Sequence, residues 1–242
     1  MSAVSIEPES LFWWAWGPEL ARIPIASPAV ASWDAAGTPS QARVQAFREE
    51  ASAIRDMLTG IPGSLWIRLE VVLPGTVPLT TGHDVENYLT PLMPIFARHD
   101  VVLVLGEKRH DPQSGRSSLS VGRAEPGMSP ASALALRVVG SASTTEWKES
   151  IRTHLQGRVT TAAPGALDVA LALRCGPRRS WTNLWKPAGD ALGPLLGEPN
   201  ENPFHPADDR ITRLALHRGV DPALGDEVEI GLAWCPAASG RK

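Results

Sequence analysis

The chain has 242 residues, is 43% hydrophobic and carries a formal net charge of -3. That is enough apolar material for a sizeable core, yet no apolar run approaches the roughly 20 residues a membrane-spanning helix needs. The weakly acidic balance argues against a broadly basic surface, and two cysteines without Cys-x-x-Cys spacing argue against a disulfide framework.

The first 39 residues contain Leu11-Phe12-Trp13-Trp14-Ala15-Trp16, too short and without the basic lead of a signal peptide. Residues 1–39 are expected to pack on the core through these tryptophans rather than stack them on bases, in a cytoplasmic protein. Next, Val44, Phe47, Ala51, Ile54 and Leu58 recur at helical spacing and Gly60 caps the run. Leu65, Ile67, Leu69, Val71 and Leu73 then alternate with Trp66, Arg68 and Glu70, which reads as a strand with one core face. Asn87-Tyr88-Leu89-Thr90-Pro91 reads as a helix start with a capping Asn, continuing through Leu92 to Phe96. His99-Asp100 opens a second strand over Val101 to Leu105, and His110 to Gly115 has the composition of a hairpin loop.

Residues 126–142 read as a linker. Beyond it Ser143 and Glu146 have capping-box spacing, Trp147, Ile151 and Leu155 share a helical face, and Gly157 ends the run. Leu167, Val169, Leu171, Leu173 and Cys175 alternate as a strand, and Asn183-Leu184-Trp185-Lys186-Pro187 repeats the Asn-x-x-x-Pro phrase, continuing through Ala191 to Leu196. A Pro- and Asn-rich insertion, Pro194 to Pro206, precedes Asp208-Asp209, which opens a strand over Arg210 to Leu216. Cys175 and Cys235, on predicted strands, are expected to be buried free thiols. The order of elements in residues 40–125 thus recurs in residues 143–242, and the chain reads as a tandem repeat of mixed α/β type.

Asp84 and Glu86 lie two apart, so in extended chain both side chains point the same way, ahead of a helix start. Pairing of the next strand beside them would add Asp100 and give a three-carboxylate cluster suited to Mg²⁺, or Mn²⁺, which activates water and neutralises phosphodiester charge. Acids at a helix start are also ordinary caps. His83 and His99, each beside a candidate acid, suit a transition metal but are more commonly surface hydrogen-bonders. Lys186 suits a phosphate contact, and Arg178, Arg179, Arg210, Arg213 and Arg218 suit a basic surface beside it.

The run Asn183-Leu184-Trp185-Lys186-Pro187, then Asp190-Ala191-Leu192, then Asp208-Asp209-Arg210-Ile211-Thr212, resembles the signature of the RusA family of Holliday-junction resolvases. In that family Asp-x-Asp-Asn-Leu-x-Lys leads into a helix with Asp-Ala-Leu, and an Asp-Asp pair opens the next strand. Asp84-Val85-Glu86-Asn87 resembles the Asp-x-Asp-Asn part, with Asp100 standing for the later acid. The family works as a homodimer, so the resemblance implies two fused RusA-like domains, 40–125 and 143–242, forming an intramolecular pseudo-dimer. It implies a Mg²⁺-dependent endonuclease on branched DNA with Asp84, Glu86, Asp100 and Lys186 catalytic; the three acids hold the metal, and Arg178, Arg179, Lys186, Arg210 and Arg213 hold DNA. Ser180 and Thr182 replace the first two acids of the second copy, leaving Asp208 and Asp209 as a degenerate site, and Thr90 replaces the lysine of the first. Neither copy alone is complete, so nicking by one surviving site is expected, with a catalytically inactive DNA-binding or scaffold subunit as the alternative. An acidic chain implies modest, salt-sensitive DNA binding, or a protein partner that supplies basic surface.

Overall fold

The computed structural model describes residues 3–8, 11–32, 34–80, 84–110, 115–199 and 203–238. Among them a nine-stranded mixed sheet runs in the order β1-β6-β9-β7-β8-β4-β3-β5-β2. Its strands are β1 (Val4–Ser5), β2 (Trp14–Ile25), β3 (Leu65–Leu73), β4 (Val101–His110), β5 (Ser117–Pro126), β6 (Leu134–Val139), β7 (Leu167–Cys175), β8 (Ile211–Val220) and β9 (Glu227–Pro236). The helices are α1 (Pro39–Met57), α2 (Val85–Leu89), α3 (Thr145–Leu155), α4 (Thr182–Asp190) and α5 (Gly193–Leu196), with a 3-10 turn over Thr90–Phe96.

The pairing follows one rule on either side of the centre. β3 runs parallel to β4 and antiparallel to β5, while β7 runs parallel to β8 and antiparallel to β9. Both parallel pairs break register after the first residue, between Leu65 and Trp66 and between Leu167 and Asp168. β4 and β8 then pair antiparallel, Leu103 opposite His217 and Glu107 opposite Arg213, which joins the two runs into one sheet. The central position of β4 explains its unbroken apolar run: Val101, Val102, Leu103, Val104 and Leu105 are all buried because the strand is covered on both faces.

All five helices lie on one face, where Phe47, Ile54, Trp147, Ile151, Leu89, Trp185 and Leu195 pack on Ile67, Leu69, Val104, Leu171 and Leu216 in one core. The predicted periodic faces of α1, α3, β3 and β7 supply more than a third of it. Gly106 lets α2 lie close on β4, since a Cβ there would stand 2.2 Å from Val85 Cγ1. The other face is closed in part by Leu11 and Trp13, packed with Ala135, Ala172 and Ala233. The Trp14 main-chain N–H donates to His217 Nδ1 at 3.0 Å and the Trp14 indole N–H donates to the Arg218 carbonyl at 2.7 Å. Trp13 and Trp14 therefore anchor the N-terminal segment, while Phe12 and Trp16 stay exposed.

Several expectations need correction. The 1–39 segment contributes a whole strand, β2, whose Pro18 and Pro24 are tolerated because β2 is an edge with register breaks. The 126–142 segment contains β6, paired with β9. The connection around His110 to Gly115 does not join neighbours, because β3 lies between β4 and β5; residues 111–114 lie outside the described part. Asn87 is not a cap: α2 begins before it, with Asp84 at the N-cap position, and Asn87 Nδ2 donates to Asp84 Oδ2 at 3.1 Å. Asn183 and Pro187 likewise fall inside α4. Cys175 is buried and Cys235 exposed, both as free thiols.

Candidate functional site: a carboxylate and lysine cluster shared between the two halves of the sheet

The strand directions decide which acids meet. α2 follows the C-terminal end of β3, which lies beside the C-terminal end of β4. Because β8 runs antiparallel to β4, the segment that opens β8, Asp208–Arg210, arrives at that same end. α4 lies on the same face and presents Lys186 and Asp190 one turn apart. Asp84 and Glu86 from the first half thus face Lys186, Asp190 and Asp208 from the second.

The Lys186 ammonium is the hub. Its Nζ stands 3.5 Å from Asp84 Oδ2, 3.1 Å from Asp190 Oδ1 and 3.2 Å from Asp208 Oδ2. Lys148 on α3 reaches Asp190 Oδ2 at 3.5 Å. Lys108, 2% exposed on β4, donates to the Asp209 carbonyl at 2.9 Å and so pins the segment carrying Asp208. Glu86 is buried against α4, where a Cβ on Gly189 would stand 3.6 Å from Glu86 Oε2. A cavity of about 20 Å³, room for roughly one water, is lined by Asp84, Glu86, Trp185, Gly189 and Asp208. Trp185 Nε1 is buried without a hydrogen-bond partner among the described residues.

The cluster holds more negative charge than its lysines neutralise. Burial and then the neighbouring Asp208 push the Asp84 carboxyl up to about 6. Burial pushes Glu86 up to about 7, with Lys186 pulling it down and Asp84, Asp190 and Asp208 pushing it further up. Burial works against the Lys186 ammonium, but Asp208, Glu86, Asp190 and Asp84 outweigh it and hold its pKa above the ordinary lysine value. Burial lowers the pKa of Lys108, partly offset by Asp209, Asp84 and Asp208. At neutral pH Glu86 is therefore about half protonated, while Lys186 holds its proton firmly.

Asp100 does not belong to this cluster. It precedes the first residue of β4, whereas Asp84 lies near Lys108 toward the last, about 25 Å away along the strand. There it accepts from Ser64 Oγ at 2.7 Å and from Arg218 Nη1 at 3.3 Å. Asp208, read as part of a degenerate second site, takes the place assigned to Asp100, with Asp209 behind it. Of the arginines expected to hold DNA, Arg179 donates to the Gly140 and Asp226 carbonyls and Arg210 to those of Ala162, Ala163, Gly165 and Leu196, so both hold loops together. Arg213 lies on the helix-free face, 3.8 Å from Asp168. Arg178 is exposed near the start of α4. His99 makes an edge contact with Phe96, and His83 lies outside the described residues. Residues that sequence reasoning gave no site role are Asp190, Lys148 and Lys108; the first stands in the Asp-Ala-Leu phrase and follows Lys186 by one helical turn.

Comparison of the chain with family models, with curated proteins and with solved structures gives no match in any of them. Among the described residues no helix is long and apolar enough to cross a membrane.

Proposed function

We propose that the chain is a RusA-like endonuclease on branched DNA, built as two fused copies in an intramolecular pseudo-dimer, with a single composite site. The observation that carries this reading is the meeting of Asp84 and Glu86, from one half, with Lys186 and Asp208, from the other. Each copy alone lacks part of the family's set, and the missing parts are supplied across the β4–β8 pair.

The donor chemistry fits a hard divalent cation. Asp84, Glu86 and Asp208 offer carboxylate oxygens, the ligands Mg²⁺ and Mn²⁺ prefer, and the pKa values of Asp84 and Glu86 are raised by burial first and by the neighbouring acids second. As the site stands, Lys186 takes the central position, and among the described residues no three acidic or imidazole groups are already arranged to hold a metal. Asp84 and Asp208 would hold the ion after turning from Lys186. When bound, Mg²⁺ supplies charge neutralisation at the phosphodiester and lowers the pKa of a water. Lys186, freed from Asp84 and Asp208, would offer its ammonium to a phosphate oxygen. Lys108 keeps the Asp208 segment in place, and Glu86, titrating near neutrality, can take the proton lost by the attacking water.

Cleavage of a labelled four-way junction in Mg²⁺ or Mn²⁺, beside a linear duplex and with Asp84→Asn and Asp208→Asn, tests this. One composite site gives nicks on one strand, and both variants lose them; a folded Asp208→Asn that cuts at the wild-type rate sinks the composite site. The occupancy of the centre by Lys186 also favours a second reading, a catalytically inactive RusA-like DNA-binding or scaffold subunit. Calorimetric titration with Mn²⁺ separates the two: no heat of binding supports the inactive subunit.

A further inference from the structure

The acidic cluster has a counterpart at the opposite end of the β4–β8 pair, and there hydroxyls and an arginine stand in place of its three acids. The shared register break aligns the strands: Lys108 lies opposite Val71 on β3, and Arg218 lies opposite Leu173 on β7, each at the same step along its pair. Lys108 reaches the segment that opens β8, and Arg218 reaches the segment that opens β4. The two Asn-x-x-x-Pro phrases align Asp84 with Ser180, Glu86 with Thr182 and Lys186 with Thr90, and the strand starts align Asp208 with Arg98.

Where one end gathers Asp84, Glu86 and Asp208, the other therefore carries two hydroxyls and an arginine. Ser180 Oγ and Thr182 Oγ1 stand 3.0 Å apart. Arg218 donates to Asp100 at 3.3 Å and its side chain remains one-third exposed. Arg98, Arg178 and Ser180 are exposed. Apart from Asp100, which Arg218 pairs, these are hydroxyl donors and guanidinia, and such a group suits an oxyanion.

Resting on the proposed function, we propose that this end binds a backbone phosphate of the nucleic acid and holds that strand uncut. Arg178 and Arg218 supply charge, and Ser180 and Thr182 supply neutral hydrogen bonds. A nucleic acid lying across the β4–β8 pair then meets a cutting site at one end and a holding site at the other.

Binding of a fluorescent four-way junction, followed by anisotropy in EDTA over a range of NaCl, tests this with the full chain. Arg178→Ala/Arg218→Ala is expected to weaken binding at least tenfold near 0.1 M salt and to lower the log–log salt slope by about 1 to 2, close to 0.9 per lost phosphate contact. Arg178→Glu/Ser180→Asp, at exposed positions without buried partners, is expected to weaken it further. Inorganic phosphate at millimolar concentration should not displace the junction, which distinguishes a backbone phosphate from a free one. Wild-type affinity and slope in folded forms of both variants overturn the proposal, as does displacement by phosphate or a wild-type chain that does not bind the junction. Failure of the nuclease reading looks different: a junction bound with the full salt slope in EDTA but left uncut in Mn²⁺.

Discussion

Lys186 on α4 and Asp84 ahead of α2 come from different halves of the chain and meet at 3.5 Å, with Asp208 3.2 Å from the same ammonium. Replacing Lys186 by Met leaves Asp84, Asp190 and Asp208 facing one another without their shared cation. The lysine side chain is half-exposed, so solvent screening limits the loss to about 0.5–1 kcal/mol. Urea unfolding of Lys186→Met should show that loss at low salt and pH 8, and little of it at 1 M NaCl. Addition of Mn²⁺ should restore stability in the variant more than in the wild type.

Asp84 and Glu86 give the chain a stability that depends on pH in a defined direction. Their folded pKa values, about 6 and about 7, lie above the ordinary carboxylate range, so the folded state binds protons more tightly than the unfolded state. The associated stability is complete below about pH 4 and is lost as the pH rises through 6 and 7. Glu86→Gln should flatten this part of the profile and be more stable than wild type at pH 8 by on the order of 3 kcal/mol, as one pKa unit corresponds to about 1.4 kcal/mol. Denaturant midpoints between pH 5 and pH 8 measure it.

Gly106→Ala should separate α2 from β4. The added Cβ would fall 2.2 Å from Val85 Cγ1 and 3.1 Å from Leu89 Cδ1, so the helix that carries Glu86 must shift. Overpacking of this kind costs about 1–3 kcal/mol. The loss of junction cleavage should exceed what the remaining folded fraction explains, because Asp84 moves away from Lys186 as well. A rate that follows the folded fraction alone would show that the helix position is not critical.

His217 fastens the N-terminal segment and should release it in acid. Burial holds its imidazole down to about 4, and Nδ1 must stay unprotonated to accept the Trp14 N–H. The unfolded state takes up the proton first, so stability falls as the pH drops from about 6.5 and the loss levels off near 4, reaching about 3 kcal/mol. Hydrogen exchange at Trp14 should accelerate over that range, and His217→Gln should remove the acceleration.

Much of the fold was legible in the residues themselves. The apolar periods of α1, α3, β3 and β7 depend on a repeat within one element, and such repeats survive without knowledge of neighbours. β2 was missed because Gly17, Pro18 and Pro24 interrupt the period of a strand, and an edge strand with register breaks tolerates them. The site was legible residue by residue and misassembled as a whole. Asp84, Glu86, Lys186 and Asp208 each sit in a recognisable phrase, but periodicity says which way a side chain points and not which strand lies alongside. Asp100 was placed with Asp84 on the assumption that each half closes its own site, and the antiparallel β4–β8 pairing puts Asp208 there instead. The carbonyl contacts of Arg179 and Arg210 leave no local trace at all, so nothing in the sequence separated them from Arg178.

A duplicated chain ordinarily carries a spare of each part, and loss of one is tolerated by the other. Sharing Lys186 between acids of both halves removes that insurance. If the chain is two fused copies as proposed, Asp84 corresponds to Ser180 and Asp208 to Arg98, so neither acid has a carboxylate equivalent in the other copy. On the proposed two-copy reading, doubling the elements around β4 and β8 leaves the chain as exposed to single changes at this site as a protein half its size.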